Sequence, residues 1–450
     1  MELRGKKVMV AGMARSGISS ARLLIEKGAV PVLYDAKHIS EFPEGTFDEF
    51  CGKAVFALGA LANAAAAEAD MVVLSPGVPT GLDFIKKAKE QGKPVIGEIE
   101  LGYLFSAARI VAVTGTNGKT TTTALTGEIF KNAGYTAYVL GNIGTPITEY
   151  ASKTKAGDII VAETAALQLE TIEKFVPRAC AVLNITEDHL NRYGTMENYT
   201  AAKRRIFENQ TQADFCVLNY DNEITRLMGD KPRSQIIWFS RQVKPNSGVF
   251  IEHGDILSAE PDGVHFICKA GEVRIPGPHN LENAMAATAL ARCYGISESV
   301  IRETLTEFSG VEHRIEFVRE YEGVRYINDS KGTNPDATEK AAAAMDRPTV
   351  LILGGYDKQS GFEALLKGLG AQIKYIVAIG QTQQKILRDA KAAGFLNIRE
   401  AGGFEEAVVM ARDIAKEGWN VLLSPACASY DMFTDFEQRG AVFKSIVNSF

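Results

Sequence analysis

Val111–Thr123 runs a β-branched strand into a loop with two glycines, then a lysine and four threonines. A phosphate cradle needs these parts in this order. The N–H groups of Gly115, Thr116, Asn117 and Gly118 can turn inward, and a helix starting near Thr120 adds its positive end. Lys119 supplies a point charge for outer phosphates, and the Thr120 hydroxyl can reach a Mg²⁺. Val113 holds the first glycine position of G-x-x-x-x-G-K-[ST], so the loop is a shortened form. An ordinary strand–turn–helix corner is the competing reading.

Further polar residues fall where strands are expected to end, the edge at which parallel sheets bind ligands. Glu163 follows the expected strand Ile159–Ala162 and is either a Mg²⁺ carboxylate facing the cradle or a helix cap. Thr186-Glu187-Asp188-His189 follows Ala181–Ile185. Lys203 sits in the stripe Tyr199, Ala202, Ile206, Phe207 of a helix expected over Met196–Gln210. Such a lysine usually snorkels to water. If it stays buried its pKa falls, and a neutral amine can capture CO₂ as a carbamate, an anionic ligand for Mg²⁺.

The remaining candidates lie near the two ends of the chain. Gly12-Met13-Ala14-Arg15-Ser16-Gly17, with Asp35 further on, approaches a dinucleotide fingerprint, but Ala14 replaces the glycine that admits a pyrophosphate. Toward the C-terminus, Asp329–Asn334, Gly354–Lys358 and Ser424–Asp431 follow three expected strands, and with His313-Arg314 they suggest an anion site.

These residues need rigid sheets to hold them. Three stretches alternate strand and helix, the pattern of parallel α/β sheets. The first has strands Val8–Ala11, Val30–Tyr34 and Met71–Leu74, a helix Ile18–Lys27 and an alanine-rich helix Leu58–Ala69. The second opens with the cradle. Leu125, Ile129 and Ala133 make its helix amphipathic, and Gly134 stops it. Ile236–Ser240, Gly248–Glu252 and Gly263–Ile275 are expected as short strands, and Asn280–Phe308 as helical. The third has strands Tyr326–Asn328, Val350–Leu353, Tyr375–Ile379 and Val421–Leu423, after a hinge at Gly310. The expected fold is α/β with three domains, 1–98 and 311–450 Rossmann-like and 99–310 a P-loop-type ATPase domain with a mostly parallel sheet.

With 450 residues and a formal charge of -6, the chain lacks the long basic run of a nucleic-acid binder. Six scattered cysteines without a C-x-x-C pair favour a reducing compartment. No signal h-region or membrane-length apolar run is seen, so a cytoplasmic protein is expected.

Together the motifs resemble the Mur ligases, ATP-dependent amide-forming enzymes of peptidoglycan precursor synthesis. Gly115–Thr120 resembles their shortened ATP loop. Glu163, Asn184…Asp188-His189, Lys203, Asn280–Asn283, His313-Arg314 and Asp329–Lys331 match in order. Gly141–Gly144, and Leu423–Phe436 leading into Glu437-Gln438-Arg439-Gly440, are similar to the members that add D-glutamate to UDP-N-acetylmuramoyl-L-alanine. Ala165-Ala166-Leu167 departs from the usual Ser-Ser-Phe, and Ala36-Lys37 from the commonest form after Asp35.

The resemblance implies an acyl-phosphate mechanism with ATP and two Mg²⁺ ions, one on Thr120 and Glu163, the other on His189 and carbamylated Lys203. Lys119, His189 and Lys203 are the implied catalytic residues. Gly115–Thr121, Asn283, Arg314, Asp329 and Lys331 would bind the nucleotide. Ala14, Arg15, Ser16, Asp35 and Asn142 would hold the UDP-sugar, and Thr333, Lys358, Ser429 and Phe436 the D-glutamate. A monomer is expected. A sibling ligase for another amino acid, an NAD-dependent dehydrogenase and a P-loop switch are the alternatives.

Overall fold

The computed structural model describes residues 1–59, 62–142, 144–357 and 361–450. Their strands form three sheets, of five, nine and six strands. Two compact units result, Met1–Glu272 with Glu282–Thr306, and Val273–Leu281 with Glu307–Phe450. Among the described residues no helix is long and apolar enough to cross a membrane.

In the first unit a parallel five-stranded sheet has Lys7–Ala11 at its centre, between Val30–Tyr34 and Met71–Leu74. Its central strands are buried along nearly their whole length, as sheets covered on both faces require. The helix Arg15–Glu26 follows the first strand. The alanine-rich helix is described over Ala62–Glu68, and residues 60 and 61 of the expected span lie outside the described residues.

The nine-stranded sheet places the cradle strand Arg109–Thr114 between Ile159–Glu163 and Ala179–Val182, parallel to both. In register, Val113 faces Glu163 and Thr114 faces Val182. The loops after all three strands therefore open on one edge. Gly248–Glu252, Asp255–Glu260 and Gly263–Lys269 close the sheet as an antiparallel meander.

Four expectations are corrected. The helix Lys119–Asn132 is not amphipathic: Thr120–Thr123, Leu125, Thr126, Gly127, Ile129 and Phe130 are all buried, so it runs inside the unit. The strand expected at Ala181–Ile185 is Ala179–Val182, because Leu183 and Asn184 already belong to the loop bonded to the cradle. The helix expected to Gln210 ends at Arg204 and tightens into a 3₁₀ turn, Arg205–Phe207. The strand expected to Ile275 ends at Lys269.

The second unit holds the six-stranded sheet. Asn420–Leu423 lies between Val324–Asn328 and Thr349–Gly354, all parallel, and Glu316–Tyr321 adds an antiparallel edge.

Candidate functional site

The cradle is stitched to the neighbouring loop by backbone and amide bonds. Thr116 N–H donates to Asn184 O at 2.9 Å, Asn117 N–H donates to Asn184 Oδ1 at 2.9 Å, and Asn184 Nδ2 returns to Asn117 O at 3.1 Å. Gly118 caps the helix at φ 85°, and a Cβ there would overlap Asn283 Oδ1. A side chain is thus excluded twice, by backbone and by space. Lys119 Nζ donates to the Gly115 and Thr116 carbonyls at 2.9 and 2.8 Å, which folds its charge over the loop.

Glu163 is buried and accepts from Thr120 Oγ1 at 2.8 Å and from Asn142 Nδ2 at 2.8 Å. An adjacent hydroxyl and carboxylate fit a hard, oxygen-seeking cation. Asn142, which the resemblance gives to the UDP-sugar, here orients Glu163. Ile143 of that motif lies outside the described residues.

Lys203 does not snorkel. It is 2% exposed, donates from Nζ to Gly115 O at 2.8 Å, and lies 4.7 Å over the Tyr199 ring. Burial, with the Lys119 charge nearby, holds its pKa well below the lysine range. Tyr199 reaches Thr116 Oγ1 at 3.3 Å, so the ring counted as apolar packing also ties Lys203 to the loop. His189, with its side chain 52% exposed, faces the same ring at 6.2 Å. Its φ of 53° is a left-handed conformation that costs a non-glycine residue energy.

In the first sheet, Ala14 precedes the helix Arg15–Glu26 and gives it no side-chain cap, so the first-turn N–H groups lack that acceptor. Asp35 accepts from Met13 N–H at 2.8 Å and Lys37 N–H at 3.0 Å, shaping the turn. Departure from Ser-Ser-Phe leaves Gln168 Oε1 accepting from Ala165 N–H at 2.9 Å.

The second unit gathers its own cluster. Asp329 is buried, accepting from Ser424 Oγ at 2.7 Å and Ile315 N–H at 3.2 Å. Burial pushes its carboxyl up to about 6, with the Arg314 charge opposing. Arg314 Nε is buried without a hydrogen-bond partner among the described residues, and the residues on either side, His313 and Ile315, are at φ 65° and 45°. Lys331 Nζ lies 5.1 Å over Phe436. Arg439, fully buried, donates to Ser330 O at 2.7 Å, Ser330 Oγ at 2.9 Å and Cys427 O at 3.1 Å; nothing in its letter alone signals a guanidinium spent inside the unit. Thr333 N–H donates to Lys331 O, and Ser429 is buried in the loop after Asn420–Leu423. Lys358 lies outside the described residues.

The pattern has relatives. Residues 6–97 match the MurD-like N-terminal domain of Mur ligases, 113–291 the Mur ligase middle domain, and 313–427 the Mur ligase glutamate ligase domain. The UDP-N-acetylmuramoylalanine–D-glutamate ligase of Pelotomaculum thermopropionicum is 47% identical over 99% of this chain and 98% of its own. That of Clostridioides difficile is 47% identical over 100% of both. Among solved structures, the UDP-N-acetylmuramate–alanine ligase of Thermotoga maritima superposes with TM-score 0.63 at 19% identity over 99% of each chain. The Acinetobacter baumannii ligase MurF gives 0.61 at 17%, covering 97% of this chain and 93% of its own.

Proposed function

This chain belongs to the Mur ligase family, and from that premise we propose that it joins D-glutamate to UDP-N-acetylmuramoyl-L-alanine, splitting ATP to ADP and phosphate. Identity of 47% along the full length to ligases named for that reaction carries the choice of substrates. The edge that joins the cradle, Glu163 and Lys203 supports the chemistry.

A carboxylate is a poor electrophile and is repelled by polyphosphate. In the proposed reaction its oxygen attacks the γ-phosphorus, the bond to the bridging oxygen breaks, and ADP leaves. The amine of D-glutamate then adds to the acyl carbon, loses a proton, and phosphate departs as the amide forms. Lys119 would release its loop carbonyls to meet the outer phosphates, while the cradle N–H groups hold them. Thr120 and Glu163 would hold one Mg²⁺, and His189 with Lys203 as its carbamate a second. When bound, these ions supply the charge that lets two anions approach. Formation of the carbamate from amine and CO₂ releases one proton and needs the neutral lysine that burial favours.

Gly115–Thr121 and Asn283 in the first unit, and Arg314, Asp329 and Lys331 in the second, are the proposed nucleotide contacts. Arg314 Nε, buried and without a hydrogen-bond partner among the described residues, suits an anion. Ala14, Arg15, Ser16, Asp35 and Asn142 are proposed for the UDP-sugar, and Thr333, Lys358, Ser429 and Phe436 for D-glutamate. We assign the domains to 1–98, 99–310 and 311–450, which separates the three sheets.

The deciding experiment measures phosphate release with UDP-N-acetylmuramoyl-L-alanine and ATP against a panel of amino acids. Release with D-glutamate alone is expected. Release with L-alanine, L-lysine or a diamino acid instead would reassign the chain to a sibling activity.

A further inference from the structure

Glu170 plays no part in the reaction as assigned above, yet its carboxylate is the meeting point of three segments. Oε1 accepts from the Tyr193 hydroxyl at 2.6 Å and from Arg192 Nε at 3.2 Å. Oε2 accepts from Arg192 Nη2 at 2.9 Å and from Thr80 Oγ1 at 3.2 Å. The side chain is only 16% exposed, so these bonds are shielded from water.

Each partner leads to a different part of the site. Thr80 ends the loop Ser75–Pro79, which follows the strand Met71–Leu74. That loop and the segment leading to Glu170 line one narrow cleft, through Ser75, Val78, Thr80, Leu167 and Gln168. Arg192 and Tyr193 belong to the single turn Leu190–Tyr193, and both donate their N–H groups to His189 O, at 2.9 and 3.1 Å. The Tyr193 ring packs 5.4 Å from Tyr199, the ring on which Lys203 Nζ lies. One carboxylate therefore ties the Ser75–Thr80 loop to the backbone turn of His189 and to the aromatic floor of Lys203.

We propose that Glu170 is a positioning residue that couples the seating of the UDP-sugar against the Ser75–Thr80 loop to the placement of His189 and Lys203. This rests on the ligase reading and on the sugar's proposed placement at Ala14–Ser16 and Asp35, the turn to which the Ser75–Thr80 loop is tied by Ser75 Oγ donating to Gly12 O at 2.7 Å. A merely structural ion pair would support folding without linking sugar binding to turnover.

The test uses the full-length enzyme with ATP, D-glutamate and UDP-N-acetylmuramoyl-L-alanine, followed by ADP release. Thr80→Val removes only the hydroxyl that reaches Glu170. It is expected to raise KM for the UDP-sugar and lower kcat, each about two-fold, so that kcat/KM falls about five-fold in all, the worth of one hydrogen bond, with KM for ATP unmoved. Thr80→Ser restores both. Glu170→Gln shows the same selectivity with larger effects, and the Thr80→Val/Glu170→Gln double variant is no worse than Glu170→Gln alone. Multiplying effects in the double variant, a Thr80→Val enzyme with wild-type constants, or a parallel rise in KM for ATP overturns the proposal. Should Glu170→Gln not fold, the Thr80 pair alone still decides. Wild-type enzyme inert toward this UDP-sugar would sink the ligase reading itself, an outcome distinct from active enzyme with independent variants.

Discussion

Lys203 shows how much one side chain's surroundings decide. Its charge is taken out of water and set beside Lys119, and the amine has a carbonyl and a ring face, with Asp188 and Glu163 opposing only through space and no ion pair among the described residues. Keeping a cation there is costly, whereas a neutral amine that becomes a carbamate turns the site anionic where a metal would need it. Lys203→Ala is expected to lower turnover by about a hundred-fold or more, on the scale of losing a group that stabilises the transition state. Millimolar short-chain carboxylate should restore part of it by standing in for the carbamate, read as ADP release. Absence of any rescue, with the variant folded, would leave the carbamate role without support. The helix stripe around Lys203 was readable from its letters, because Tyr199, Ala202, Ile206 and Phe207 recur at helical spacing. Its partner Gly115 O was not, since 88 residues separate the two and only the sheet order brings them together.

At the scale of the element, the cradle works because its loop has one conformation available. Gly118 sits at φ 85° with Asn283 Oδ1 where a Cβ would go, so Gly118→Ala both strains the backbone, by about 1–3 kcal/mol, and pushes Asn283 away. We expect its nucleotide affinity to fall at least about ten-fold by titration calorimetry, since 1.4 kcal/mol is a factor of ten. Gly134→Ala makes the matched control. It has a similar φ of 87° at the far end of the same helix, with open space around the Cβ, so it should cost stability and leave affinity alone. Equal affinities for the two variants would refute the argument. The strand–loop–helix order here was legible because glycine, lysine and β-branched residues each have one physical use in it. The helix's burial was not legible, because its threonines are polar letters that the fold places inside. Glu316–Tyr321 also escaped notice: a charged edge strand with Phe317 60% exposed carries no clean alternation. Glu170 gave no signal either, as its partners Thr80, Arg192 and Tyr193 come from two distant stretches of chain.

Over the whole molecule, apolar runs foretold three sheets, but not that Val273–Leu281 would join the second compact unit. That unit's stability should carry a mark of its polar core. Asp329 is wholly buried, and its carboxyl rises from an ordinary 3.8 to about 6 despite Arg314 and the bonds from Ser424 and Ile315. Below pH 3.8 the group is protonated folded or unfolded and costs nothing. As pH rises from there toward 6, the unfolded chain gives up the proton while the native state keeps it, so native stability falls. Above about 6 the buried carboxylate is ionised and the penalty stays constant, on the order of 2–3 kcal/mol for a shift of this size. Other carboxyls bend the same curve, so the difference between wild type and Asp329→Asn isolates this one. In urea unfolding of the full chain at pH 4, 5, 6 and 7, the wild type should lose stability relative to the variant through pH 6, then run parallel to it. Curves parallel across the whole range would show that Asp329 keeps its ordinary pKa in the folded unit.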